Sequence, residues 1–248
     1  MPASDRPSER RGAARTAVVW DALLPVLDAH PGGDVVDIGG GTGGFAVRVA
    51  ERGHRVSVVD PSPDALASLA RRARELGVEV TGQQGDLSSL LDVTGPDSAD
   101  VVLCHGVLEV VDDPVAALAT IRQVLRPGGS LSLLVAQRHA AVVARAMAGH
   151  FAQALTLLDP STGSGQRDGA SSGRSGRRFT HDEITALLAG AGFELTSVHG
   201  VRVFADLVPG SLLDLEPGAA AALVELEHAV AGRTEYFPLA TQLHLLAR

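Results

Sequence analysis

Five glycines crowd into six positions of VVDIGGGTGG, residues 35–44, directly after a short apolar run. Glycine is required where a backbone must turn tightly and let a ligand approach closer than a Cβ allows. A merely structural turn would be destabilised by so many glycines, so the segment reads as a cofactor loop. Gly39, Gly41 and Gly44 satisfy the spacing G-x-G-x-x-G, while Gly39, Gly41 and Gly43 satisfy the shorter G-x-G-x-G, with Gly40 inside both. Spacing therefore leaves two cofactor classes open.

Charge separates them. A dinucleotide sets its pyrophosphate on loop amides and a helix N-terminus, where the carboxylate of Asp37 would repel it. S-adenosylmethionine has no phosphate and presents an ammonium and a sulfonium, which Asp37 favours. Asp60 closes the next apolar run, where a carboxylate can accept from both ribose hydroxyls of either cofactor. Gln84, Gly85 and Asp86 follow the third run, where a carboxylate can meet an adenine amino group; the alternative is a turn built on Asp86. His105 directly follows the fourth run, at the carboxyl end of the sheet where open α/β folds bind ligands, and is read as lining the cofactor. Glu109, one helical turn later, is read as structural.

The elements that must hold these residues alternate strand and helix. Strands are expected at 34–38, 55–59, 78–81, 100–104 and 130–135, with helices at 45–52, 64–76 and 114–125. Runs such as VVDI and VSVV are apolar on both alternating faces, as in a parallel sheet covered on both sides. Upstream, 11–29 reads as one helix or two, with Pro25 a kink or boundary. Downstream, 140–158 reads as one long helix, 159–178 as a flexible Gly/Ser/Arg loop, and 181–190 as a helix. Strand 193–204, helix 217–231 and strand 239–246 complete the pattern. The fold class is α/β, a Rossmann-like doubly wound, mostly parallel seven-stranded sheet with an antiparallel C-terminal edge. Residues 1–10 are expected to be disordered and 11–248 to form a single domain, with 11–32 a helical lid.

Composition removes several alternatives. The 248-residue chain can bury a core without staples. All 21 basic residues are Arg, so lysine Schiff bases, pyridoxal chemistry and the Walker phosphate loop are excluded. The single Cys104 forbids an internal disulfide or a multi-cysteine metal site, and no metal cluster is expected. No secretory signal or membrane-spanning run is visible, and a cytoplasmic protein is expected. A net charge of −8 argues against nonspecific coating of nucleic acid while leaving room for a local basic patch.

With VVDIGGGTGG, Asp60, QGD, HGVLEVVDDP at 105–114 and LRPGG at 125–129 assembled, the chain resembles the class I S-adenosylmethionine-dependent methyltransferases. Over nearly all of 11–248 it resembles the bacterial tRNA carboxymethoxyuridine methyltransferases, through AARTAVVWDAL at 13–23, GVRVFADL at 200–207 and LVELE at 223–227. That resemblance implies that Arg15, Gly39, Gly40, Asp60, Gln84, Gly85 and His105 surround the methyl donor, S-adenosylmethionine. It also implies an acceptor carboxylate on a modified wobble uridine of tRNA. Two departures concern the acceptor side. The family tends to carry an aromatic and Asn where this chain has Ala136-Gln137, and a lysine-rich loop where this chain has Arg167, Arg174, Arg177 and Arg178 among Gly and Ser.

A carboxylate acceptor needs no general base, only alignment and a cation. Arg202 is the candidate anchor, because its planar fork binds a carboxylate bidentately; the alternative is an arginine paired with Asp206 or Glu227. A small-molecule oxygen, nitrogen or carboxyl acceptor is the main competing expectation, and a non-catalytic donor-binding protein a further one.

Overall fold

A computed structural model describes residues 7–158, 176–215 and 217–248, without the side chains of 7–15, 210, 214 and 215. The expected disorder of 1–10 falls partly outside these residues, but α1 (Pro7–Asp28) already begins at Pro7. Proline suits that start, since the first helical N–H has no partner to lose. Pro25 neither ends nor splits the helix. It lies in the last turn, where it removes only its own backbone donor, and its carbonyl still accepts from the N–H of Ala29 at 3.1 Å. Most of the expected flexible loop, 159–175, lies outside the described residues.

The βα series runs β1 (Asp34–Ile38), α2 (Ala46–Glu51), β2 (Arg55–Asp60), α3 (Pro63–Leu76), β3 (Val80–Gln84), α4 (Leu90–Thr94), β4 (Ala99–His105), α5 (Pro114–Val124) and β5 (Leu125–Ala136). Local chemistry sets the helix ends. Ser62 accepts from the N–H of Ala65, Pro63 opens α3, and Gly77 closes it at φ +68°. Asp113 accepts from the N–H groups of Val115 and Ala116 ahead of Pro114 in α5. β3 runs later than expected and takes in Gln84. β5 starts at Leu125, so Pro127-Gly128-Gly129 lies within the strand rather than in a loop.

Then follow α6 (Arg138–Met147), α7 (Phe151–Leu158), α8 (His181–Gly190), β6 (Leu195–Val201), α9 (Gly210–Leu215), α10 (Ala219–Ala231), a 3₁₀ turn (Thr234–Leu239) and β7 (Gln242–Ala247). The single helix expected over 140–158 is broken at Gly149, whose φ of +76° stops α6. The sheet order is β3-β2-β1-β4-β5-β7-β6, a mostly parallel sheet with antiparallel pairing at the C-terminal edge. β6 takes the outermost place, with β7 one position inside it.

Backbone contacts gather into two compact units. Of the described residues, one unit comprises 22–135, 183–198 and 245–248; the other comprises 7–21, 136–158, 176–182, 199–215 and 217–244. The first is built on β1 to β4 and most of β5. Its core is aliphatic, with Val58, Val59, Val101, Leu103 and Leu133 fully buried along the strands. In the second, Val203, Val230, Phe237 and Leu243 are buried. No described helix is long and apolar enough to cross a membrane.

Candidate functional site

Parallel register assembles the first cluster. Ile38 pairs with Val59 and with Cys104, and Asp60 pairs with Gln84. The carboxyl ends of β1 to β4 therefore finish together, and Gly39, Asp60, Gln84 and His105 come to one edge of one unit. The first glycine turn is held there by backbone bonds, from the N–H of Gly39 to the carbonyl of Val59 at 2.8 Å and from the N–H of Gly85 to that of Asp60 at 3.2 Å.

The loop is shaped around its carboxylates. Gly41 has φ +55° and its N–H donates to Oδ2 of Asp60 at 2.9 Å, while the N–H of Ser62 donates to Oδ1 at 2.8 Å. A Cβ on Gly40 would lie 2.5 Å from Oδ2 of Asp37, so only glycine fits over that carboxylate. Gly39 and Gly43 also hold positive φ, at +65° and +79°.

Asp37 is only 3% exposed, and no described group donates a hydrogen bond to it. Burial, and then the negative charge of Asp60, push its carboxyl up to about 7. A buried acid without a donor is costly unless a cation meets it. The ammonium and sulfonium of S-adenosylmethionine supply that charge, and the glycine cradle supplies the close approach, so the residues fit this donor.

The remaining candidates divide. Gln84 is exposed at the end of β3, its amide donating weakly to the carbonyl of Pro61 at 3.4 Å. Gly85 packs tightly, a Cβ there meeting Oγ of Ser89 at 2.9 Å. Oδ1 of Asp86 accepts from the N–H and hydroxyl of Ser88 and the N–H of Ser89. Those bonds, led by the Ser88 hydroxyl, hold its carboxyl below the usual range. The Asp86 turn foreseen as the structural alternative is thus present, with Oδ2 outside it. His105 shares a 2.9 Å hydrogen bond through Nε2 with Oγ of Ser132 on β5, and Phe45 meets its ring edge-on at 4.9 Å. Burial pushes the imidazole down to about 4, so it stays uncharged at neutral pH. Ser132 and Phe45 were missed from the sequence; a lone serine inside the apolar LSLL offered the one signal. Arg15 lies in α1, its side chain outside the description.

The second unit holds Arg202, at φ +59° just after β6. Its Nη2 donates to Oδ2 of Asp206, which also accepts from Oγ1 of Thr241 at 3.2 Å. Nη1 reaches Oε1 of Gln242 at 3.5 Å, and Nε is buried without a hydrogen-bond partner. Of the two ion pairs foreseen as alternatives, the one with Asp206 forms. Glu227 instead accepts the backbone N–H groups of Val203, Phe204 and Ala205 at 2.7 to 2.9 Å. Arg202 lines a cavity of about 430 Å³ with Arg145, Arg178, Asp206 and a wall of Ala136, Ala140 and Ala144. The role of Gln137 was also missed: it is 1% exposed and caps α6, its Oε1 accepting from the N–H of Ala140 at 2.8 Å.

Strand order, glycine cradle and paired acidic residues define a class I S-adenosylmethionine-dependent methyltransferase. A family model described as a methyltransferase domain matches residues 35–129. The fold is shared with an S-adenosylmethionine-dependent methyltransferase from Mesorhizobium loti, at TM-score 0.59 and 21% identity over 95% of this chain and 99% of that one. The tRNA 5-carboxymethoxyuridine methyltransferase of Escherichia coli K12 is 31% identical over 96% of this chain and 89% of its own length, and the chain belongs to the family of that enzyme. A ubiquinone biosynthesis O-methyltransferase from Aeromonas salmonicida is 35% identical over 42% of this chain and 44% of its own. S-adenosylmethionine is the methyl donor.

Proposed function

We propose that the chain methylates the carboxylate of a modified wobble uridine in tRNA, forming a methyl ester. The observation that carries this reading is the guanidinium of Arg202, lining a cavity with its Nε buried and unpartnered. A carboxylate with a reference pKa of about 4 is ionised at neutral pH and needs no base. It needs an anchor, and an arginine fork gives two parallel hydrogen bonds in a fixed plane. Asp206 already presents a carboxylate to that fork, the chemistry an acceptor would bring. Likeness to the Escherichia coli enzyme extends along nearly the whole chain, acceptor side included, which supports the same substrate class.

On the donor side the reading assigns Asp37 to the cationic end, Asp60 to the ribose, and Gln84, Gly85 and Asp86 to the adenine. Gly39, Gly40, Gly41 and Gly43 give close backbone approach, and His105 is an uncharged wall. Arg15 enters through the family likeness. Bound S-adenosylmethionine supplies an electrophilic methyl, whose C–S bond breaks as the C–O bond of the ester forms, releasing S-adenosylhomocysteine. The protein's part is to align the carboxylate and exclude water. Phosphates of the RNA would be met by Arg177 and Arg178, with Arg167 and Arg174. Such a substrate places the protein in the cytoplasm.

A small-molecule acceptor is the second reading, favoured by the partial likeness to the ubiquinone enzyme. Mass spectrometry of wobble nucleosides and polar metabolites, from cells with and without the gene, separates the two. Loss of a methyl ester from a wobble uridine is expected; loss from a metabolite alone overturns the tRNA reading.

A further inference from the structure

A second cavity, of about 240 Å³, lies in the same unit as Arg202 and is lined by His139, Thr180, His181, Asp182, Phe237 and Pro238. It neighbours the first across a parallel bridge between Gln137 and Phe179. Residues beside that bridge alternate between the two cavities. Ala136, Ala140 and Arg178 line the arginine cavity, and His139, Thr180 and His181 line the smaller one.

The walls of the smaller cavity are flat and held in place. The ring of His181 lies 5.4 Å from that of Phe237, tilted by 40°, and its Nδ1 is bonded to Oδ1 of Asp182 at 3.1 Å. Because Oε1 of Gln137 caps α6, its amide nitrogen donates to Nδ1 of His139 at 3.1 Å and orients that ring as well. Phe237 is 4% exposed and forms a floor, while the imidazole of His181 remains partly open. His139, His181 and Asp182 do not constitute a metal-holding group, since no three such residues gather suitably among those described. Imidazole, phenyl and pyrrolidine faces around a volume below the roughly 300 to 1,000 Å³ of drug-sized ligand sites suit one planar heterocycle. Proteins that read single-stranded RNA use this surface chemistry, stacking splayed bases on aromatic and imidazole rings.

We propose that this cavity takes a nucleobase flanking the acceptor nucleoside, so that the enzyme grips a stretch of RNA at two points on either side of the Gln137–Phe179 bridge. The inference rests on the reading that places a carboxylated nucleoside at Arg202. It explains how a chain with one Trp, one Tyr and six Phe holds a base, namely by committing imidazoles to the task.

The test uses the full chain and an anticodon stem-loop RNA carrying 2-aminopurine beside the wobble position, on one side or the other. Binding is expected to quench the probe in one of the two RNAs. His181→Ala should abolish the quench and raise the Kd about tenfold, the scale of a lost base stack. His181→Phe should restore both, and calorimetric affinity for S-adenosylmethionine should not change in either variant. His139→Ala, on an exposed ring, gives a second readout that does not depend on the start of α8. RNA that binds with quench and affinity unchanged in both alanine variants, or with neither probe quenched by the wild type, overturns the flanking-base site and leaves the tRNA reading standing. Wild-type protein that binds no RNA but methylates a small carboxylic acid overturns both.

Discussion

Glu227 accepts the backbone N–H of Phe204 through Oε1 at 2.8 Å, from 23 residues further along the chain. The same carboxylate takes the N–H groups of Val203 and Ala205, so one buried side chain fixes the turn that follows Arg202. The segments GVRVF and LVELE are thereby one device, and Glu227 positions Arg202 without touching its guanidinium.

Replacing Glu227 by Gln should turn one accepting oxygen into a donor facing a backbone N–H. The expected cost is about 1 to 3 kcal/mol of unfolding free energy, the usual penalty for an unmatched buried polar group. Single-turnover methylation should slow while calorimetric donor affinity holds. Equal denaturant midpoints for Glu227→Gln and wild type would rule out the clamp.

With Asp37 at the cationic end of the donor, as proposed, donor binding should depend on pH. Its carboxyl is raised from the ordinary 3.8 to about 7, so the folded protein holds a proton that the unfolded chain gives up. Its contribution to stability thus falls as pH rises from about 4 to about 7, and the penalty is complete above that. A cationic donor favours the ionised form, so binding at pH 6 should release a proton. Titration calorimetry in two buffers of different ionisation enthalpy reads that release, and Asp37→Asn should abolish it. The same substitution should raise the Tm at pH 8, by roughly 2–4 °C for each kcal/mol relieved, while weakening donor binding.

Asp60 braces the loop through Gly41 and Ser62, and the proposed reading gives its remaining lone pairs to the ribose. Asp60→Ala should weaken S-adenosylmethionine binding by about 1 to 3 kcal/mol. Amide exchange at Gly41 should quicken even without donor. Unchanged affinity by calorimetry would exclude the ribose contact, and unchanged exchange at Gly41 would exclude the bracing.

His199 stacks on His244, ring centroids 5.8 Å apart, and its Nδ1 is buried without a partner. Burial lowers its imidazole below the ordinary 6.5. The unfolded chain then takes up a proton that the folded one resists, so the contribution is complete above pH 6.5 and is lost as pH falls below it. His105 and His54 are lowered by burial and act in the same direction, while Asp37 opposes them. His199→Phe keeps a ring in the stack and removes the titration. Its Tm should drop less between pH 7 and pH 5 than that of the wild type, and parallel Tm curves would count against the stack as an acid-sensitive point.

The βα series, the glycine loop and the carboxylates at its strand ends were legible in the sequence because each depends on neighbours. Apolar runs, helix stops at glycine or proline, and acids ending strands are local signals, and parallel pairing then brings successive strand ends to one edge. Gly149 was equally local, but the apolar positions on both sides of it masked the break between α6 and α7. Other features needed the tertiary structure, because their partners lie far along the chain. Ser132 acquires its role only when β5 lies beside β4 and meets His105 from 27 residues away. Glu227 looks like a charged residue in an alanine-rich helix until the turn after β6 brings it three N–H groups. The sequence left Arg202 with two ion-pair partners, and packing decided for Asp206, since Glu227 was already committed to the backbone. The two cavities beside the Gln137–Phe179 bridge arise from segments some forty residues apart, joined by hydrogen bonds that no local propensity encodes.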